Sequence, residues 1–435
     1  MGISVRPARM KHLSLWLQDR AYFDDLVRVL DGFKDLDITV AVARLPLDAR
    51  GEAYVTGWVP ASDEYQLTRA VEKATKGNCE ISFSDPEPGE QVPSLLRHHR
   101  FLRPFEKLVQ SFGVPSYNEI DPTWFMVFSF MLVFCFMFAD VGHGLVLASV
   151  GVAAYLLAGR AAKSEGIIRY ILESGGLLIV CGISGAIGGL LLGEFFGYHV
   201  SFLPSKVSLP EPLRIVLPFR PIDNPMKMFR LALLVGAMDI SFGLALNIVN
   251  KLIAHKFRAA FYEGICWLWF YVALMYSVFR HGLNLLALTA DPIMLWGILM
   301  PMSLMLSGKL GLERLEGLVS FVDAMISTVS NTVSYLRILA LALAHSIVSS
   351  LILEVGGHSP LVAVVGSLPA IALEGLIVFI HSTRLMWVEW FSKFYHGAGT
   401  PYSAKLLFDW EIRGLEPAYV EAVKAPAPEL TLRKP

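Results

Sequence analysis

Apolar residues in the first 118 positions fall into short alternating or helical patterns, whereas from position 119 to about 405 they gather into long runs. A helix needs roughly 20 predominantly apolar residues to cross the hydrocarbon core of a bilayer. Such runs are expected near 122–139, 141–159, 170–193, 231–250, 260–279, 285–308, 319–353 and 361–391, about eight transmembrane helices. Only Asp140-Val-Gly-His-Gly separates the first two, which therefore read as a tight hairpin or as one broken helix. The last two reach about 45–50 Å at ~1.5 Å per residue, against a core of about 30 Å, so they tilt strongly or protrude.

The opening segment reads differently. Leu13–Leu17 and Ile38–Leu45 predict strands around a helix over Tyr22–Phe33 with apolar positions near 3.6-residue spacing. The pattern then repeats: a strand over Ala53–Val59, a helix over Asp63–Thr75 capped by Ser62, and a strand over Cys79–Ser84. An acidic, Pro-rich linker follows from Asp85. The expected organisation is a small cytoplasmic α+β domain with its linker (1–118), a transmembrane ion-translocating domain (119–405) and a cytoplasmic C-terminal tail (406–435). The first domain carries no phosphate loop, nucleophile motif or metal cluster, which favours docking or stabilising over catalysis.

Composition sharpens this picture. The chain is 54% apolar and 17% charged, against about 25% charged in soluble proteins. A net charge of −1 gives nucleic acid binding no electrostatic support. Cys79, Cys135, Cys181 and Cys266 show neither metal-ligand nor disulfide-framework spacing, and no cofactor or resident metal is expected. No signal peptide opens the sequence, so the N-terminus is expected in the cytoplasm, and eight spans return the C-terminus there. Lys and Arg support this orientation unevenly. The expected inner loops carry Arg160, Lys163, Lys251, Lys256, Lys309 and Arg314, but the outer loop at 194–230 is also basic.

The chemistry gathers in the last two spans. The seventh contains Arg337 and His345, with Asp323 near its start; the eighth contains Glu374, His381, Arg384 and Glu389. Each ionised group at the bilayer centre costs roughly 2.5–3.5 kcal/mol, so these side chains must face protein, water or one another. Glu374 and His381, seven apart, share a helix face, with Arg384 one turn further. Val378 is expected to face lipid. Antiparallel threading puts Arg337 in the middle and His345 outward of it. Glu374 falls near the depth of Arg337 or slightly outward of it, and His381, Arg384 and Glu389 come progressively closer to the cytoplasm. Outer access through His345 and Glu374 and inner access through Asp323 and Glu389 would leave Arg337 and Arg384 between them. Asp140, His143 and Glu194 sit at span ends beside glycines, where capping and ion roles are both open. Asp239, Asn247 and Asn250 read as interhelical hydrogen-bonding groups.

The chain resembles the large membrane subunit of rotary V-type and A-type ATPases, called subunit a or subunit I. The resemblance rests on Phe101-Leu-Arg-Pro-Phe-Glu, Gly113-Val-Pro-Ser-Tyr-Asn-Glu-Ile-Asp-Pro-Thr, Met137-Phe-Ala-Asp-Val-Gly-His-Gly, Gly193-Glu-Phe-Phe-Gly, the run from Ser330 to His345, and His381-Ser-Thr-Arg-Leu-Met-Trp-Val-Glu-Trp. It implies a non-catalytic stator that forms half-channels for protons, with sodium as the alternative ion, against a ring of proteolipid subunits. It implies further partners in the central and peripheral stalks and in the lipid bilayer. By this resemblance Arg337 is the seventh-helix arginine and Arg384 its partner on the eighth. Glu374, His345 and His381 correspond to outer half-channel residues, Asp323 falls where a glutamate is common, and Asp140 lies in a family motif.

One departure is large: the family's cytoplasmic region carries a long coiled-coil arm, and no heptad run of that length occurs here. Two readings from other classes stay beside the stator. One is a self-contained secondary transporter with a site at broken helices, against which no repeat relates the two halves. The other is a non-pumping assembly factor, against which stand Arg337, Arg384 and Glu374. ATP hydrolysis by the chain itself is not expected, since it has no Gly-x-x-x-x-Gly-Lys-Ser/Thr loop.

Overall fold

The computed structural model describes residues 7–17, 53–76, 79–87, 90, 92–117, 119–157, 166–200, 207–208, 215–282, 292–313, 316–355 and 360–402. The strand expected at Ile38–Leu45, the helix expected at Tyr22–Phe33 and the tail from 406 lie outside the described residues. The chain forms two compact units, one of residues 6–97 with 398–435 and the other essentially of residues 98–397.

In the first unit β1 (Met10–Leu17), β2 (Ala53–Pro60) and β3 (Cys79–Ser84) form an antiparallel sheet in the order β2-β1-β3. Leu13 lies opposite Gly57 on one side and Phe83 on the other. Met10, Leu13 and Val59 are buried, as are Leu67 and Val71 of helix α1 (Glu64–Thr75), the apolar stripe that made this helix legible. Ser62 does not cap it. Its hydroxyl donates to the Asp63 carboxylate at 2.9 Å and its oxygen accepts from Arg97 at 3.3 Å, while Asp63 also takes Arg97 at 2.6 Å.

The second unit is helical. After α2 (Arg103–Phe112) come α3 (Thr123–Met137), α4 (Val141–Leu157), the short α5 (Ile167–Glu173) and α6 (Gly175–Leu192). A two-residue ladder, β4 (Glu194–Phe195) with β5 (Tyr198–His199), and a second, β6 (Val207–Ser208) with β7 (Val216–Leu217), precede α7 (Pro225–Ile253). Then follow α8 (Phe257–His281), α9 (Pro292–Glu313), α10 (Glu316–Ser334), α11 (Leu336–Val355) and α12 (Pro360–Arg384). Beyond Arg384, α12 continues as a π turn over Leu385–Trp390 and a 3-10 turn over Phe391–Lys393.

Length and composition qualify five helices to cross a membrane: α6, α7, α8, the joined α10–α11 (Gly317–Val355) and α12 with its continuation (Val364–Lys393). The other three expected stretches coincide with shorter apolar helices, α3, α4 and Trp296–Gly308 within α9. The first expected pair is therefore two helices, broken at Phe138–Asp140.

Small residues decide the closest packing. Gly175, Gly182 and Gly189, spaced by seven, face the backbone of α4 around Tyr155, Ala148 and Val141, and a Cβ at Gly175 would sit 2.5 Å from the Tyr155 amide nitrogen. Without side chains in the way the two backbones meet, the usual basis of helix association in lipid. Phe130 and Phe134 on α3 and Phe138 at its C-terminal end, spaced by four, are wholly buried in the core.

Candidate functional site

Tyr335 interrupts the long α10–α11 helix two residues before Arg337. Its ring is buried and lies against Gly236 of α7, where an added Cβ would come within 2.6 Å of it. Its hydroxyl donates to Asp239 Oδ2 at 2.5 Å, and Ser129 of α3 donates to Asp239 Oδ1. Asp239 is thus an interhelical hydrogen-bonding group, whereas Asn250 ties α7 to the segments before α3 and after α12, accepting from the Ile120 amide at 3.1 Å and donating to the Phe394 carbonyl at 3.0 Å. Three helices therefore hold the break from which Arg337 starts α11.

Arg337 Nη1 donates to Glu389 Oε1 at 3.0 Å. The guanidinium is 22% exposed and the carboxylate 2%. A charge pair so placed needs both members, because either alone would be left uncompensated in a medium that solvates it poorly. The π turn that begins at Leu385 re-phases α12. Upstream of it Arg384 is exposed and has no ion-pair partner among the described residues; within it Glu389 is buried.

A second pair joins the same two helices eight residues further along α11, about 12 Å at ~1.5 Å per residue. His345 Nδ1 and Glu374 Oε2 are 2.7 Å apart. The antiparallel register is thus Arg337 beside Glu389 and His345 beside Glu374. Glu374 lies level with His345; counting from the span ends left it near Arg337 or slightly outward of it, and the pairing shows which. Val378, expected to face lipid, is 2% exposed; Leu373, Leu376 and Ile380 are among the exposed apolar residues of that helix. His381 is half-buried and its Nδ1 has no hydrogen-bond partner among the described residues. Asp323, on α10, is exposed.

Around His345 the structure gathers residues from three earlier motifs. Its ring stands perpendicular to that of His143, with centroids 5.1 Å apart, and Phe138 lies 5.3 Å away. Asp140 caps α4 by accepting from the His143 amide at 2.9 Å, and it accepts from the amides of Phe196 and Gly197, each at 3.0 Å. Gly197 has φ +78°, a conformation open to glycine that aims its N–H at the carboxylate. Ser346 donates to Glu194 Oε1 at 3.0 Å. Asp140, His143 and Glu194 carried a signal in the sequence, as polar residues beside glycines. Tyr335 and Ser346 carried none, since a Tyr or Ser in an apolar run is ordinary.

Comparison with known proteins agrees with these motifs. The description V-type ATPase 116 kDa subunit family matches residues 44–214 and 316–406. A-type ATP synthase subunit I of Methanocaldococcus jannaschii is 29% identical over 384 residues, covering 80% of this chain and 54% of the relative. The protein of the same description from Aeropyrum pernix is 31% identical over 407 residues, covering 81% and 58%. V-type ATP synthase subunit I 2 of Treponema pallidum is 30% identical over 213 residues, 45% of this chain and 46% of the relative. The chain spans about half the length of the relatives it matches.

Proposed function

Since the chain belongs to the V-type ATPase 116 kDa subunit family, we propose that it is the stator subunit of a rotary V/A-type ATPase, with α10–α11 and α12 facing a ring of proteolipid subunits. The ring would carry a carboxylate on each subunit. Glu374 and His345 serve the outer half-channel and Asp323 the inner one, with protons as the transported ion and sodium as the alternative. Central and peripheral stalk subunits are the further partners, the termini lie in the cytoplasm, and ATP chemistry belongs to other subunits.

The observation that carries this reading is the Arg337–Glu389 pair, lying on the same two helices as the His345–Glu374 pair but at a different depth. A carboxylate in lipid is held protonated by desolvation, and a fixed guanidinium favours its charged form. Arginine suits the task because it stays protonated at any working pH. Glu389 gives Arg337 a partner while no ring carboxylate is near. An arriving carboxylate then replaces one anion by another, so the guanidinium is never left bare in a poorly solvating site. A cation held between the two access routes also repels protons, so ions cross only with the ring.

Arg337→Ala in the intact complex reconstituted into vesicles is the test: ATP-driven acidification is expected to disappear while the chain still inserts and assembles. Arg337→Lys is expected to lose most of it, since lysine lacks the planar fork and gives up its proton more readily. Normal pumping by Arg337→Ala would overturn the mechanism.

A further inference from the structure

Where α3 gives way to α4, side chains some 200 positions apart in the chain converge. A carboxylate oxygen of Asp140 and one ring nitrogen from each of His143 and His345 lie within 4.8 Å of one another, and all three residues are buried. Among the described residues neither ring nitrogen of His143 has a hydrogen-bond partner, nor has Nε2 of His345. Leaving a buried polar atom unpaired costs about 1–3 kcal/mol, so one nitrogen from each ring, close to the same Asp140 carboxylate oxygen, asks for a ligand. We propose that Asp140, His143 and His345 form a binding site for a divalent transition-metal ion of the zinc class.

The surroundings orient each donor. Glu374 accepts the Nδ1–H of His345 at 2.7 Å, which puts the lone pair on Nε2, the carboxylate–histidine arrangement found behind metal-bound imidazoles. Asp140 Oδ2 accepts only the Gly197 N–H, which leaves it a lone pair. His143 sits in the first turn of α4 with Phe196 edge-on at 5.5 Å and Phe138 at 6.0 Å. Two imidazoles and a carboxylate suit Zn2+, Co2+, Ni2+ or Cu2+ better than Mg2+ or Ca2+, which prefer oxygen. Donors on one tetrahedral zinc are about 3.4 Å apart, so the rings need move by only an ångström or so. Charge agrees as well: Asp140, Glu194 and Glu374 surround two imidazoles, and Glu194 Oε2 is itself buried without a partner. A dication would add to the positive charge facing these three carboxylates.

Binding here depends on the cluster alone and not on the transport reading. The test uses the full chain purified in detergent and stripped of metal, titrated with Cu2+ and followed by electron paramagnetic resonance. One equivalent is expected to bind with superhyperfine coupling to two imidazole nitrogens, and Zn2+ is expected to displace it. His143→Ala and His345→Ala should each weaken Zn2+ binding at least tenfold and Glu374→Gln by about 10–100-fold, with the exposed His255→Ala unchanged. The wild-type spectrum decides even where a variant fails to fold. Absence of two-nitrogen coupling in the wild-type protein, or Zn2+ affinity untouched in His143→Ala and His345→Ala, overturns the site.

Discussion

Arg337 at the start of α11 and Glu389 in the π turn after α12 meet at 3.0 Å, whereas Arg384, on the same helix as Glu389, is exposed and has no ion-pair partner among the described residues. Removing a buried anion and leaving its cation costs more than removing an exposed charge. Glu389→Gln is therefore expected to destabilise the purified chain by on the order of 2 kcal/mol, while Arg384→Ala stays within about 0.5 kcal/mol. Thermal unfolding in detergent distinguishes them; equal losses would mean that the pair does not hold the helices.

Glu374 and Ile380 share α12 but not their surroundings. Glu374 is 14% exposed and paired to His345, and Ile380 is an exposed apolar residue. If Glu374 lines water, a membrane-impermeant thiol reagent should label Glu374→Cys and spare Ile380→Cys in the assembled complex. Equal protection of both would show a dry seam.

The Tyr335 anchor should matter to folding as well as to Arg337. Tyr335→Phe leaves a buried Asp239 oxygen without its donor and should cost about 1–3 kcal/mol. Gly236→Ala drives a methyl against the Tyr335 ring and should cost a similar ~1–3 kcal/mol. Because both displace the break from which α11 starts, each is also expected to lower pumping more than its stability loss explains. Normal pumping in both would show that Arg337 does not depend on this anchor.

Outside the spans, His98 is held between Asp121 Oδ2 at 2.9 Å and Glu106 Oε2 at 3.1 Å. Burial opposes its charge, but the hydrogen bonds and fields of Asp121 and Glu106 outweigh that and raise its pKa from 6.5 to about 9. The folded chain thus keeps a proton that the unfolded chain releases. Stability from this group is complete below pH 6.5 and is lost as pH rises through about 9. Unfolding midpoints between pH 6 and 10 should fall across that window and flatten in His98→Gln. An unchanged slope in the variant would assign the effect elsewhere.

Read from the sequence alone, the apolar runs located the helices, because the need to keep an uninterrupted hydrocarbon surface in lipid is a local property of twenty or so residues. The cost of burying charge likewise singled out Arg337, His345, Glu374 and Glu389, since any ionised group in such a run must have a reason to be there. Tertiary structure alone decided which of them meet. The register of α11 against α12, the π turn that turns Glu389 inward, the burial of Val378 and the gathering of Asp140 and His143 about His345 all depend on contacts between segments far apart in the chain. Helical periodicity states which residues share a face, but not which face is met or at what height, and those are settled by pairing energies between side chains that no local pattern contains.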